Sequence, residues 1–234
     1  MKTILVIQHV EAEYLGLMED HLESRSVRFQ YCRPFVPGAS LPESPEGYDG
    51  LVLLGAGPLG VVSGSLIPSL ARELRLTAAF LKAGLPVIGV EAGAILLAVA
   101  AGGGADDAPL RLAVGEATRA EPDALGGTMP ESFPFATYMR DRPVLPDGAV
   151  TLARDGAGEA VVFAVGPGAI GFVGHPGIKS AMVEDVIMEF DETPDDTAER
   201  LADLRAAQAG IAEALTALMV GIVAEAGWMS TDRD

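Results

Sequence analysis

The chain has 234 residues, enough for one sizeable α/β domain, and with 49% hydrophobic and 21% charged residues it has globular composition. Its 16 basic and 33 acidic residues give a net charge of −17, which repels nucleic acid and anionic membrane and excludes both as general partners. A single cysteine, Cys32, excludes an internal disulfide framework and fits a reducing, cytoplasmic setting.

Thr3–Ile7 is a β-rich run ending in Gln8-His9; it turns acidic at once, which reads as a first strand and not a signal peptide. Tyr14–Ser24 sets Leu15, Met18 and Leu22 on one helical face, with His21 inside that helix. Val27–Cys32 is a second strand, and Pro34–Pro45, with four prolines and two serines, is a loop. Asp49–Leu54 is a third strand that runs into Gly55-Ala56-Gly57-Pro58, a turn rich in exposed backbone N–H groups. Leu66–Ala83 is helical.

Leu85–Val99 (LPVIGVEAGAILLAV) organises the rest. Its β-branched run passes directly into a helix through a frame of Gly89 and Gly93. A strand that becomes a helix so abruptly must turn sharply, and Glu91 then stands at a nucleophile-elbow position beside the helix N-terminus. Glu91 is also the only charge between Gly84 and Ala105. This stretch is long enough to raise the question of a membrane span, but Pro86, Glu91 and Gly102–Gly104 argue against one.

From Ala105 to Arg142 the pattern weakens, and the segment reads as irregular or partly antiparallel. Ala149–Ala153, Ala160–Val165 and Ile170–Val173 are short strands of an antiparallel meander, closed by His175-Pro176-Gly177. Lys179–Phe190 is helical, and Thr193-Pro194-Asp195-Asp196 announces a long alanine-rich helix over about 197–226. Its Ala214–Ala224 stretch carries no charge, which suggests core packing or a homodimer contact. Strands alternating with helices imply a mostly parallel sheet with helices on both faces, and no linker divides residues 1–234.

In order along the chain, Ile7-Gln8-His9-Val10, Leu54-Gly55-Ala56-Gly57-Pro58, Gly89-Val90-Glu91-Ala92-Gly93 and Gly174-His175-Pro176-Gly177 resemble four motifs of the class I glutamine amidotransferases. The resemblance is greatest to free-standing proteins similar to the amidotransferase part of GMP synthase. It implies a flavodoxin-like fold, an anion-binding loop at Gly55–Pro58, and an elbow with Ala92 next to the reacting residue. It also implies a cysteine where Glu91 stands, a triad glutamate where Gly177 stands and a substrate-contacting glutamine where Ile95 stands. Of the triad only His175 matches. A carboxylate is a far weaker nucleophile than a thiolate toward an amide, so glutaminase activity is not expected.

Three readings of the elbow are open. Glu91 and His175 form an ion pair that replaces the catalytic pair and preserves the fold. Alternatively, Glu91 is a general base or nucleophile with the Gly55–Pro58 amides as anion hole. Lastly, His9, His175 and Glu91, with Glu11 or Glu13, ligate a divalent metal. The leading functional expectation is a ligand-binding or partner subunit that takes a small molecule at the elbow cleft, as a homodimer or with a partner enzyme. Hydrolase or lyase chemistry on Glu91 and His175 is the alternative, and an active glutamine amidotransferase is third. No cofactor or metal is expected.

Overall fold

The computed structural model describes residues 1–229. The elements, in chain order, are β1 (Thr3–Ile7), α1 (Met18–Glu23), β2 (Arg28–Cys32), β3 (Gly50–Leu53), α2 (Leu70–Lys82), β4 (Val87–Val90), α3 (Ala92–Ala100), β5 (Gly104–Asp106), β6 (Arg111–Arg119), β7 (Ser132–Met139), β8 (Arg142–Val144), β9 (Val150–Arg154), β10 (Ala160–Gly166), β11 (Ala169–Phe172), α4 (Ser180–Glu189) and α5 (Thr197–Glu225).

Nine strands form one sheet in the order β2-β1-β3-β4-β11-β10-β9-β6-β7. The five strands from β2 to β11 pair in parallel, as the strand–helix alternation requires. From β11 onward the pairing is antiparallel. Alternation along the strands divides the core. Ile4, Val6, Ile88 and Val90 face the layer that holds α1 and the second half of α5, while Leu5, Ile7, Leu51, Leu53 and Val87 face α2 and α3. A third cluster packs Leu112, Ala136 and Tyr138 against α4 and the first half of α5.

Several expectations need correction. The first helix spans only Met18–Glu23, because Gly16 adopts φ +62° and the preceding residues form a turn that meets the His175–Gly177 corner. The second starts at Leu70, not Leu66. The stretch from 105 to 142 is more regular than its composition suggests: β6 and β7 pair over eight registered positions. The uncharged part of α5 buries Ala214, Leu215, Leu218, Met219, Ile222 and Val223 within its own chain, which is the core packing its composition suggested. By length and composition alone α5 could cross a membrane, but it packs as a core helix on β6 and β7.

Candidate functional site

β4 delivers Glu91 to the C-terminal edge of the sheet, and α3 begins at the next residue. Glu91 has φ 53° and ψ −116°, the strained backbone expected of an elbow. The two glycines make the turn by close approach. A side chain on Gly89 would strike the Gly93 carbonyl and the Ala94 Cα, and one on Gly93 would strike the Leu53 backbone of β3. The elbow is therefore held by backbone packing that does not depend on the side chain at position 91.

The Glu91 carboxyl is 1% exposed and accepts the Tyr138 N–H through Oε1 at 2.6 Å. Beside it lies Glu13, 3% exposed, whose Oε2 accepts the Gly57 N–H at 2.8 Å. Both Oε2 atoms sit over the Cα of Gly55, where an added Cβ would collide with each. Burial and the Glu13 charge push Glu91 well above the usual carboxylate range, against the Tyr138 N–H and the Arg111 charge. Burial raises Glu13 to about 7, opposed by the Gly57 N–H and by His9. Two buried carboxyls this close cannot both ionise, so the pair keeps at least one proton at neutral pH.

His175 does not pair with Glu91. Its Nε2–H donates to the Tyr14 carbonyl at 2.7 Å, and its Nδ1 accepts the Gly177 N–H at 3.1 Å. Both ring nitrogens are committed to backbone, and burial lowers the ring to about 4, the opposite of the rise an ion pair would cause. Gly177 is equally fixed. A Cβ there would lie 2.8 Å from the Leu15 carbonyl oxygen and 2.8 Å from the Met18 Cγ, so the turn of residues 15–18 occupies the space a third triad side chain would need.

His9 forms a separate buried unit. Its Nδ1 faces the Gly55 carbonyl at 2.9 Å and its Nε2 faces Glu73 Oε2 at 2.6 Å. Both partners are acceptors, so both nitrogens carry protons and the ring is an imidazolium. Burial opposes this charge, but Glu73 and the Gly55 carbonyl outweigh it and raise the pKa. Glu73, held also by the Ser69 hydroxyl, is lowered in turn by His9 although burial opposes this. His9 is thus a structural cation beneath the Gly55–Pro58 loop.

The loop is fastened from its far side as well. Arg140 Nε donates to the Pro58 carbonyl at 2.5 Å. The Asp141 carboxylate accepts the N–H groups of Val61, Val62 and Ser63 at 2.8, 2.9 and 3.3 Å. Ala56 and Ala92 are buried, and the space enclosed by Glu13, Glu91, Tyr138, His175 and α4 is about 10 Å³, no more than about one water molecule requires. Among the described residues no group of three or more His, Cys, Asp or Glu is arranged to hold a metal ion. Cys32 lies half-buried in β2, and burial raises its thiol.

Sequence reasoning thus placed Glu91, His175 and the Gly55–Pro58 loop at one sheet edge. It named Glu13 only as a metal ligand and missed Glu73, Arg140 and Asp141. The run Arg140-Asp141-Arg142 straight after an apolar strand was an available signal, and so was Glu73, a charge three, four and seven residues before Leu76, Thr77 and Phe80 on the buried face of α2.

No protein-family model and no curated protein matches the chain. Solved structures do. A glutamine amidotransferase from Thermotoga maritima is 22% identical with a TM-score of 0.80, over 96% of this chain and 98% of that one. A glutamine amidotransferase from Methylobacillus flagellatus is 22% identical with a TM-score of 0.81, over 96% and 95%. A Thermoplasma acidophilum protein, provisionally described as one of the subunits of a GMP synthase, is 16% identical with a TM-score of 0.61, over 89% and 98%. The chain has the glutamine amidotransferase fold.

Proposed function

We propose that this protein is a non-glutaminase with the class I amidotransferase fold, acting as a ligand-binding or partner subunit. The carrying observation is that the elbow is filled from within. Glu13 takes the Gly57 N–H, one of the loop donors a substrate oxyanion would need, and Glu91 takes the Tyr138 N–H. The residue at the elbow is a carboxyl rather than a thiolate, one of a buried pair whose ionisation burial opposes, and both nitrogens of His175 are bound elsewhere. A base with no free nitrogen cannot activate a nucleophile, which also disfavours new hydrolase chemistry on Glu91 and His175. The provisional description of the Thermoplasma acidophilum neighbour as a GMP synthase subunit supports the partner role. We take the chain to work as one cytoplasmic unit without a cofactor.

The test is release of ammonia from glutamine, with an active amidotransferase as control. No turnover above background is expected. Turnover at the control's level, lost in Glu91→Ala, would overturn the reading.

A further inference from the structure

We propose that the cleft lined by Arg111, Arg142 and Arg154 binds a small organic oxyanion, a carboxylate or phosphate carried on an apolar body. This deepens the ligand-binding reading above by naming the ligand's chemistry and its place, which is beside the elbow and not in it.

The cleft has a volume of about 680 Å³, within the range of small-molecule sites. It lies where β6 and β7 turn the face opposite α4 and α5 toward the β5–β8 ribbon. Phe135, Val161 and Val173 give it an apolar wall, and Thr137 marks its boundary with the elbow, next to the Tyr138 N–H that holds Glu91.

Three guanidinia gathered in one cavity set this cleft apart. Acidic residues outnumber basic ones by 33 to 16, and Arg140, Arg200 and Arg205 each lie in an ion pair with a carboxylate. None of the three cleft arginines does, and neither do six other described arginines; what distinguishes these three is that they share one concave surface. Each guanidinium carries five N–H donors. Arg111 uses one on the Asp141 carbonyl at 3.1 Å, and Arg154 uses one on the Gly158 carbonyl at 2.8 Å. Arg142 makes no side-chain hydrogen bond among the described residues.

Three carboxylates, from Asp106, Asp155 and Glu159, also line the cleft and balance its formal charge, but none forms an ion pair with an arginine among the described residues. Asp155 accepts the N–H groups of Ala157 and Glu159 through Oδ1, which turns its carboxylate toward its own loop. Asp106 lies opposite Arg142 in the β5–β8 register without forming an ion pair. Arg111 is half-buried; burial first and the Arg142 charge second lower its pKa. Two guanidinia that repel each other over an apolar wall favour an anion between them, and their planar forks match a carboxylate or phosphate.

The test is isothermal titration of the full chain with phenyl phosphate and with benzoate, using phenol as the neutral control. At least one of the two anions is expected to bind saturably, one per chain, and phenol not to bind. Arg142→Gln and Arg154→Gln, both at exposed positions, should each weaken that binding by about tenfold without lowering the melting temperature. Preference for phenyl phosphate assigns the site to phosphate esters, and preference for benzoate assigns it to carboxylates. No saturable binding of either anion up to 10 mM, equal binding of phenol, or unchanged affinity in both variants would overturn the proposal. Ammonia release from glutamine, measured on the same samples, reads the elbow separately, so the two readings fail independently.

Discussion

Replacing Glu13 by Gln should stabilise the protein, and more so at alkaline pH. With its oxygen in the place of Oε2 the amide keeps the Gly57 N–H bond, and the substitution removes from beside Glu91 Oε2 a second group that can ionise. Burial raises Glu13 from 4.5 to about 7. The folded state therefore holds a proton that the unfolded chain releases near its lower value, and stability falls as pH rises through that window. The full shift corresponds to about 3 kcal/mol once both states are deprotonated. Somewhat less than about 1 kcal/mol of this is already present at pH 5, because the unfolded carboxyl is largely ionised there. Between pH 5 and pH 8 the advantage of Glu13→Gln over the wild type should thus grow by about 2 kcal/mol. Urea denaturation of both proteins at several pH values measures it. Comparing the two cancels His175, which acts oppositely: burial lowers it to about 4, so its contribution is lost as pH falls from 6.5 toward that value. Parallel stability–pH curves for the two proteins would refute the shared-proton account.

Other outcomes follow from the same geometry. His9→Ala leaves Glu73 buried without its counter-charge and should cost about 3 kcal/mol or more in urea denaturation. Gly177→Glu forces a side chain against the turn of residues 15–18 and should destabilise by about 3 kcal/mol, seen as a lower melting temperature. Glu91→Cys should remain without glutaminase activity, since His175 still bonds Tyr14 and Gly177; ammonia release is the readout. In ¹H–¹⁵N spectra His175 should stay neutral down to about pH 4, with the same titration in Glu91→Gln.

The central parallel strands were legible because they are buried on both faces. Thr3–Ile7, Gly50–Leu53 and Val87–Val90 are nearly unbroken apolar runs bounded by glycine or polar residues, which is how a covered parallel strand must read. β6 was obscure for the converse reason. Polar residues stand on both of its faces, Arg111 on the side of the arginine cleft and Glu116 and Thr118 on the other, and they interrupt the apolar pattern that would have marked a strand. The shortened α1 was decided by tertiary contacts. The Tyr14 carbonyl receives the His175 N–H, and the Leu17 N–H donates to the Gly177 carbonyl at 2.8 Å, so this turn is fixed by a segment some 160 residues away. The partner of Glu91 was hidden in the same way. Strand order brings His175 to the right edge of the sheet, but which polar group meets the elbow is set by the path of residues 11–17, a stretch with no periodicity to read.

A carboxyl survives at the elbow because the turn and the chemistry are held by different atoms. Gly89 and Gly93 press against backbone on α3 and β3, which fixes φ at position 91 whatever side chain follows. A buried carboxylate there would be costly alone. Three features of this chain remove that cost: the proton kept by the Glu13–Glu91 pair, the Tyr138 N–H at one end and the Gly57 N–H at the other. Each of them also removes something that amide hydrolysis needs, namely an ionised nucleophile, open space at the elbow and a free donor for the oxyanion. Stabilising this carboxyl and sustaining catalysis are therefore competing uses of the same few groups. A TM-score near 0.8 at 22% identity to glutamine amidotransferases accordingly shows the fold alone.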